Sequence, residues 1–189
     1  MARGKQSADK RVRLAKAAVD LAYRQGYRRT TLADIAAESG VPLGNLYYYY
    51  KTKDDIGDAI LGHREGEFEA LRTRLDDLPT PRARLLAFID MTVRNAANVA
   101  ERGCPMGSLC AELLKEGGQL AERSNMLMAK PMAWMELQFS ALGRAEAASD
   151  LALQLQSSLQ GASLMTQSFH DPSLLEREGR RLQSWIETL

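Results

Sequence analysis

The stretch Thr31–Lys53, TLADIAAESGVPLGNLYYYYKTK, constrains the fold more than any other part of the chain. Thr31 and Asp34, three residues apart, have the form of a capping box, in which each side chain takes a backbone N–H of the other. Leu32, Ile35 and Ala36 recur at i, i+3 and i+4, so a short helix running to Ser39 has one apolar face. Gly40 can adopt the left-handed conformation that ends a helix. Val41 plugs the corner, and Pro42 opens a second short helix to about Tyr49. Thr52, with Asp55 three residues later, caps a third and much longer helix. Two short helices joined by a tight Gly-containing turn predict a helix-turn-helix, whose second helix fits a DNA major groove.

The charge distribution agrees with that expectation. Residues 1–53 hold eleven Lys/Arg against four Asp/Glu, whereas the whole chain of 189 residues has a net charge of only +1. A basic head therefore sits on an acidic body, which suits a head that meets phosphate. With 45 % hydrophobic residues the chain can bury a sizeable core. The N-terminal MARGKQSADKRVR is basic but leads into an amphipathic helix rather than an apolar run, so no signal peptide is predicted. The longest uncharged run, Leu151–His170, contains four Gln and four Ser and is rejected as a membrane span. A cytoplasmic protein with no membrane partner is expected.

Along the chain, residues 1–6 read as a disordered basic arm carrying Arg3 and Lys5, and Ser7 as the cap of a first helix to about Gln25. The helix after Thr52 extends to about Leu78, where Pro79-Thr80-Pro81 breaks it. A helix with Leu85, Phe88, Ile89 and Val93 reaches about Arg102, and one with Met106, Leu109, Cys110, Leu113 and Leu114 ends at Gly117-Gly118. A Met-rich helix to about Leu142, a long one from Arg144 to Phe169 and a last one from Ser173 to Thr188 complete the chain. No strand pattern occurs, so the predicted fold is all-α: a three-helix head and a body of about six helices.

Thr30-Thr31, Ile35-Ala36, Gly40-Val41, Gly44, Leu46-Tyr47, Tyr49-Tyr50 and Lys53 resemble the DNA-binding signature of the TetR family of bacterial repressors, over roughly residues 7–60. The resemblance implies a DNA-binding domain at residues 1–51 and a ligand-sensing and dimerisation domain at 52–189. Implied partners are a double-stranded DNA operator, a second copy of the chain and a small-molecule effector. By the same resemblance, the positions facing DNA are Leu43, Gly44, Asn45, Tyr47 and Tyr49, with Thr31 and Ala33 from the preceding helix. Asn45 is the ordinary hydrogen-bonding reader among them. Leu43 and Ala33 depart from the polar or charged residues often found there, and Leu43 suits thymine methyl groups. Tyr47, Tyr49 and Lys53 are assigned to phosphate, Lys53 lying in the first turn of a long helix whose free N–H groups favour an anion. Four consecutive tyrosines cannot share one helical face, so Tyr50 is expected on the packed side.

Two cysteines do not make a disulfide framework. Cys110 lies on an apolar stripe and reads as a buried thiol. Cys104, followed by Pro105, falls at a helix start, a setting that favours thiolate. The segment Gly-Cys-Pro-Met-Gly also resembles a branch of the family that includes electrophile and oxidant sensors. A sensing Cys104 and a plainly packed one both remain open. Met91, Met106, Met126, Met132, Trp134, Met135, Met165 and Phe169 either line an effector pocket or form simple core. The uncharged helix near the end, with Leu151, Leu155, Leu159 and Ala162, and the last helix with Trp185 are expected to form the dimer interface.

No metal-ligand spacing, phosphate-binding loop, dinucleotide fingerprint or nucleophile motif is present, so neither metal nor cofactor is expected. The sequence thus favours a homodimeric regulator, most simply a repressor released from a palindromic operator by a small apolar or thiol-reactive compound. Its rivals are a constitutive or architectural helix-turn-helix protein without effector, and an enzyme built on a helical bundle.

Overall fold

The computed structural model describes the backbone of residues 2–189 and the side chains of residues 9–189. The described residues form helices joined by short turns, with no strand. They divide into two compact units, one formed by residues up to 67 together with 108–125, the other by residues 68–107 and 126–189.

The first unit contains α1 (Ala2–Gln25), α2 (Leu32–Ser39), α3 (Leu43–Tyr49), the first two-thirds of α4 (Lys53–Asp76), most of α7 (Gly107–Glu116) and α8 (Gly118–Ser124). Helix α1 starts at Ala2, so Ser7 lies inside the helix rather than at its cap, and residues 2–6 are helical rather than a free arm. The side chains of Arg3, Lys5 and Ser7 lie outside the described residues. Helix α1 packs on α2 and α2 on α3. Leu14, Ala18, Leu21, Ile35, Leu46, Ile56 and Ile60 are buried on the helical phase that their neighbours at i±3 or i±4 define, and Val41 and Tyr50 are buried from the turn and the helix end. An exposed Arg24–Glu38 ion pair at 2.7 Å joins α1 to α2.

The second unit contains the end of α4, α5 (Pro81–Arg94), α6 (Ala96–Arg102), α9 (Met126–Phe139), α10 (Ala148–Phe169) and α11 (Pro172–Glu187). Its core joins Leu85, Phe88, Ile89, Val99, Trp134, Met135, Phe139, Leu155, Leu159, Leu175, Leu182 and Ile186. Helix α10 is central, packing on α6, α9 and α11, while α11 packs also on α5. Gly179 permits that last contact, since a Cβ there would fall 2.2 Å from Val93 Cγ2. The open end of α4 is closed by Arg84, whose Nε and Nη2 donate to the Leu78 and Asp76 carbonyls, both at 2.9 Å. Those donors satisfy carbonyls that a helix end otherwise leaves unpaired.

The chain after residue 52 forms eight helices where the sequence predicts about six. The helix expected to reach Arg102 divides at Asn95, whose backbone (φ −90°, ψ 6°) leaves the helix between α5 and α6. Residues after Gly117 form the short α8 before the Met-rich α9 begins. The long helix starts at Ala148 instead of Arg144, because Gly143 takes a left-handed conformation (φ 82°) within a widened turn. Among the described residues, no helix is long and apolar enough to cross a membrane.

Candidate functional site

The helix-turn-helix is set by local hydrogen bonds that its own sequence supplies. Asp34 N–H donates to Thr31 Oγ1 at 3.1 Å, and Thr31 N–H donates to Asp34 Oδ2 at 3.0 Å. These bonds hold the Asp34 carboxyl below its ordinary value, the backbone N–H of Thr31 being the largest cause. Gly40 takes φ 64°, and its N–H caps the Ala36 and Ala37 carbonyls. Leu46 N–H and Asn45 N–H both donate to the Pro42 carbonyl, opening α3. Thr52 and Asp55 repeat the reciprocal cap at the start of α4, with Asp55 N–H on Thr52 Oγ1 at 3.1 Å and Thr52 N–H on Asp55 Oδ2 at 3.0 Å.

This scaffold leaves one face of α3 bare. Leu43, Gly44, Asn45, Tyr47 and Tyr48 are exposed, as are Thr31 and Ala33 at the start of α2. Tyr49 is half-buried, with its ring edge-on to Tyr48 at 5.2 Å between centroids. Tyr50 is buried, as the extended residue that ends α3 (φ −136°, ψ 111°). Tyr48, which the sequence leaves unassigned, is 80 % exposed and stands among the groove-facing candidates.

Lys53 is tied into the unit rather than extended from it. Its Nζ donates to the Arg28 carbonyl at 2.7 Å and lies 4.9 Å from the centre of the Tyr27 ring, a cation–π contact. Tyr27 Oη donates in turn to the Lys53 carbonyl at 3.0 Å. Burial, followed by the charges of Asp54, Asp58, Glu116 and Glu112, pushes the Tyr27 phenol up to about 12, so it remains a donor. An ammonium carries three N–H donors, and one on Arg28 leaves two for a phosphate.

In the second unit, a cavity of about 130 Å³ is lined by Met91, Cys104, Met106, Leu159, Gln156 and Gln160 among others. Its walls are apolar apart from carboxamides, hydroxyls and the cysteine sulfur, and none of its lining residues is charged. Cys104 Sγ accepts Gly107 N–H at 3.4 Å at the start of α7, and Gln160 Nε2–H at 3.5 Å. Cys110 is buried and donates to the Ser124 carbonyl at 3.1 Å.

The residues grouped by sequence as effector-sensing do not stay together. Cys104, Met91 and Met106 line the cavity. Trp134 and Met135 are closed into the core, with Trp134 Nε1 donating to Asp76 Oδ1 at 2.8 Å, and Met132 packs against that core. Met126, Met165 and Phe169 are exposed, the last two on the outer side of α10. Methionine adapts equally well to core, cavity and surface, so composition cannot sort them. The expected dimer residues also divide. Leu155 and Leu159 face the chain's own core, and Leu151, Ala162 and Trp185 are half-buried against it. The outward apolar residues of α10 are instead Leu153, Leu164, Met165 and Phe169, 50–69 % exposed.

A capped helix, a glycine turn and a second helix with one bare face define a helix-turn-helix protein of the DNA-binding type, here followed by an all-helical body. Residues 14–60 match the bacterial regulatory proteins of the tetR family. The chain is 29 % identical over 86 residues to the fatty acid metabolism regulator protein of Bacillus subtilis, covering 45 % of this chain and 44 % of that protein. It is 30 % identical over 103 residues to the transcriptional regulator AcuR of Cereibacter sphaeroides, covering 53 % and 47 %. The chain thus spans less than half the length of these relatives. The fold of a TetR transcriptional regulator from Chloroflexus aurantiacus superposes with a TM-score of 0.83 at 20 % identity, over 97 % of this chain and 96 % of that one. The tetR-family match thus falls on residues 14–60, and over the whole chain the likeness is one of fold.

Proposed function

We propose that the protein is a DNA-binding transcriptional repressor that acts as a homodimer on a near-palindromic operator and leaves it when a small molecule occupies the body. The observation that carries the reading is the bare face of α3, presented by a glycine turn after the capped helix α2. Residues 1–51 are assigned to DNA and 52–189 to sensing and dimerisation, in a cytoplasmic protein. Asn45 is assigned to base readout, with Leu43, Gly44, Thr31 and Ala33 beside it, and Tyr47, Tyr49 and Lys53 to phosphate. The two-fold partner is assigned to the outward apolar side of α10, where Leu153, Leu164, Met165 and Phe169 replace the inward Leu155 and Leu159. A second copy meets it with the same side, which matches a two-fold operator.

The uncharged cavity supports a compact, neutral effector over an anion, since no charged side chain lines it. A thiol-directed trigger is the second reading, favoured by the position of Cys104 Sγ on the cavity wall. An effector-independent, architectural role is the remaining alternative; a compound-induced loss of operator binding separates it from both.

The test of the DNA reading is fluorescence anisotropy on duplexes that the wild type selects from a random library. Lys53→Ala is expected to weaken binding on every sequence and to flatten the salt slope by about 0.9, the value of one phosphate contact. Asn45→Ala is expected to relax preference at one base pair by about 1–3 kcal/mol. A Lys53→Ala protein with unchanged affinity and salt slope refutes the assigned docking.

A further inference from the structure

Glu112, on α7, reaches the turn that precedes the helix-turn-helix. Its Oε2 accepts Tyr27 N–H at 2.9 Å, and its Oε1 accepts Arg28 N–H at 2.6 Å. The carboxylate is seated against Gly26, which takes φ 90° and where a Cβ would stand 3.2 and 3.3 Å from the two oxygens. Two N–H groups on one ionised carboxylate are charge-assisted bonds, stronger than neutral ones. They grip a segment, Gly26–Thr31, that lies between α1 and α2 and has no helical ladder of its own.

The same two residues hold Lys53. The Arg28 carbonyl accepts Lys53 Nζ–H, the Tyr27 ring lies under that ammonium, and Tyr27 Oη bonds the Lys53 carbonyl. The linkage therefore runs from Glu112 through Tyr27 and Arg28 to Lys53, wholly within the first unit. It is distinct from the apolar packing of α7, which Leu109, Cys110 and Leu113 provide from buried positions.

We infer that Glu112 is a positioning residue of the DNA interface, fixing the Tyr27–Arg28 turn and, through it, the Lys53 ammonium where a phosphate is to be met. The inference rests on the DNA-binding reading above and on the phosphate role of Lys53 within it. Without the grip, turn and ammonium must be ordered by the DNA itself, at a cost in conformational entropy that lowers affinity on any sequence.

Glu112→Gln keeps the volume and helix propensity of the residue and removes its charge. The test compares wild type, Glu112→Gln, Lys53→Ala and the double variant on one short duplex selected by the wild type from a random library. Glu112→Gln is expected to weaken binding about tenfold and to flatten the salt slope, because it acts through a phosphate contact. In the Lys53→Ala background it is expected to add little, since its target is gone. Amide exchange supplies a readout that needs no DNA: Tyr27 and Arg28 should exchange faster in Glu112→Gln, with Leu14 and Leu46 unchanged. Should Leu14 and Leu46 lose protection too, Glu112→Asp, which keeps the charge and shortens the reach, carries the same comparison. Unchanged affinity, or effects of Glu112→Gln and Lys53→Ala that simply add, overturns the positioning role. Unchanged exchange at Tyr27 and Arg28 overturns the grip. A wild type that binds no duplex overturns the DNA reading instead, and exchange still decides whether the grip exists.

Discussion

Leu155→Ala tests which side of α10 belongs to the chain's own core. Leu155 has no exposed surface and packs within the cluster that includes Met135, Phe139 and Ile186. Removing its branched end forfeits both the transfer free energy of the lost carbons and the contacts around the cavity left behind. For a fully enclosed leucine that sum is about 3–4 kcal/mol. With a urea dependence of about 2 kcal/mol/M, the unfolding midpoint should fall by about 1.5–2 M. Both tryptophans, Trp134 and Trp185, lie in the second unit, while all six tyrosines fall between residues 23 and 50 in the first. Tryptophan emission therefore follows the unit that contains Leu155. Leu164, on the same helix, is 60 % exposed, and Leu164→Ala should change stability within one chain by about 0.5 kcal/mol or less. Leu164→Asp should instead convert a sedimenting dimer into a monomer. A shift below about 1 kcal/mol for Leu155→Ala would show that this residue is not core and would return it to the interface.

Three further outcomes are expected. Cys104→Ser should retain operator binding but resist release by a quinone or other electrophile, in a gel-shift assay beside wild type and Cys110→Ser; equal release of all three makes the thiol structural and leaves a non-covalent ligand. Gly107→Ala places a Cβ 2.4 Å from Gln160 Oε1, so the flexible carboxamide must move off Cys104; the rate of thiol alkylation should change with stability held within about 1 kcal/mol, and an unchanged rate refutes the Gln160–Cys104 contact. Asp34 and Asp55 both titrate below their ordinary value because backbone N–H groups bond the ionised form. A depressed folded pKa contributes stability that is present above the unfolded value and is lost as pH falls through the folded one. Tyrosine-monitored stability should therefore fall only below about pH 4, and Asp34→Asn combined with Asp55→Asn should flatten that acid limb.

The head was legible in the sequence because its decisive interactions are local. Thr31 with Asp34, Thr52 with Asp55, and Gly40 with the Ala36 carbonyl each join residues three or four apart, so residue type at fixed spacing determines them. Tyr50 is buried as expected, but from the extended residue that follows α3 (φ −136°, ψ 111°) rather than from a helical position. Tertiary structure decided everything that depends on which face of a helix meets a neighbour. Helix α10 carries apolar residues on both sides, so its periodicity did not distinguish Leu155 and Leu159, turned inward, from Leu153 and Leu164, turned outward. Methionines fit core, cavity and surface alike, and only the docking of α9 and α10 separated Met106 at the cavity from Met135 in the core and Met165 outside. Glu112 meets Tyr27 and Arg28 across 85 and 84 residues of sequence, and no local pattern records a carboxylate that finds its two N–H partners through the packing of α7.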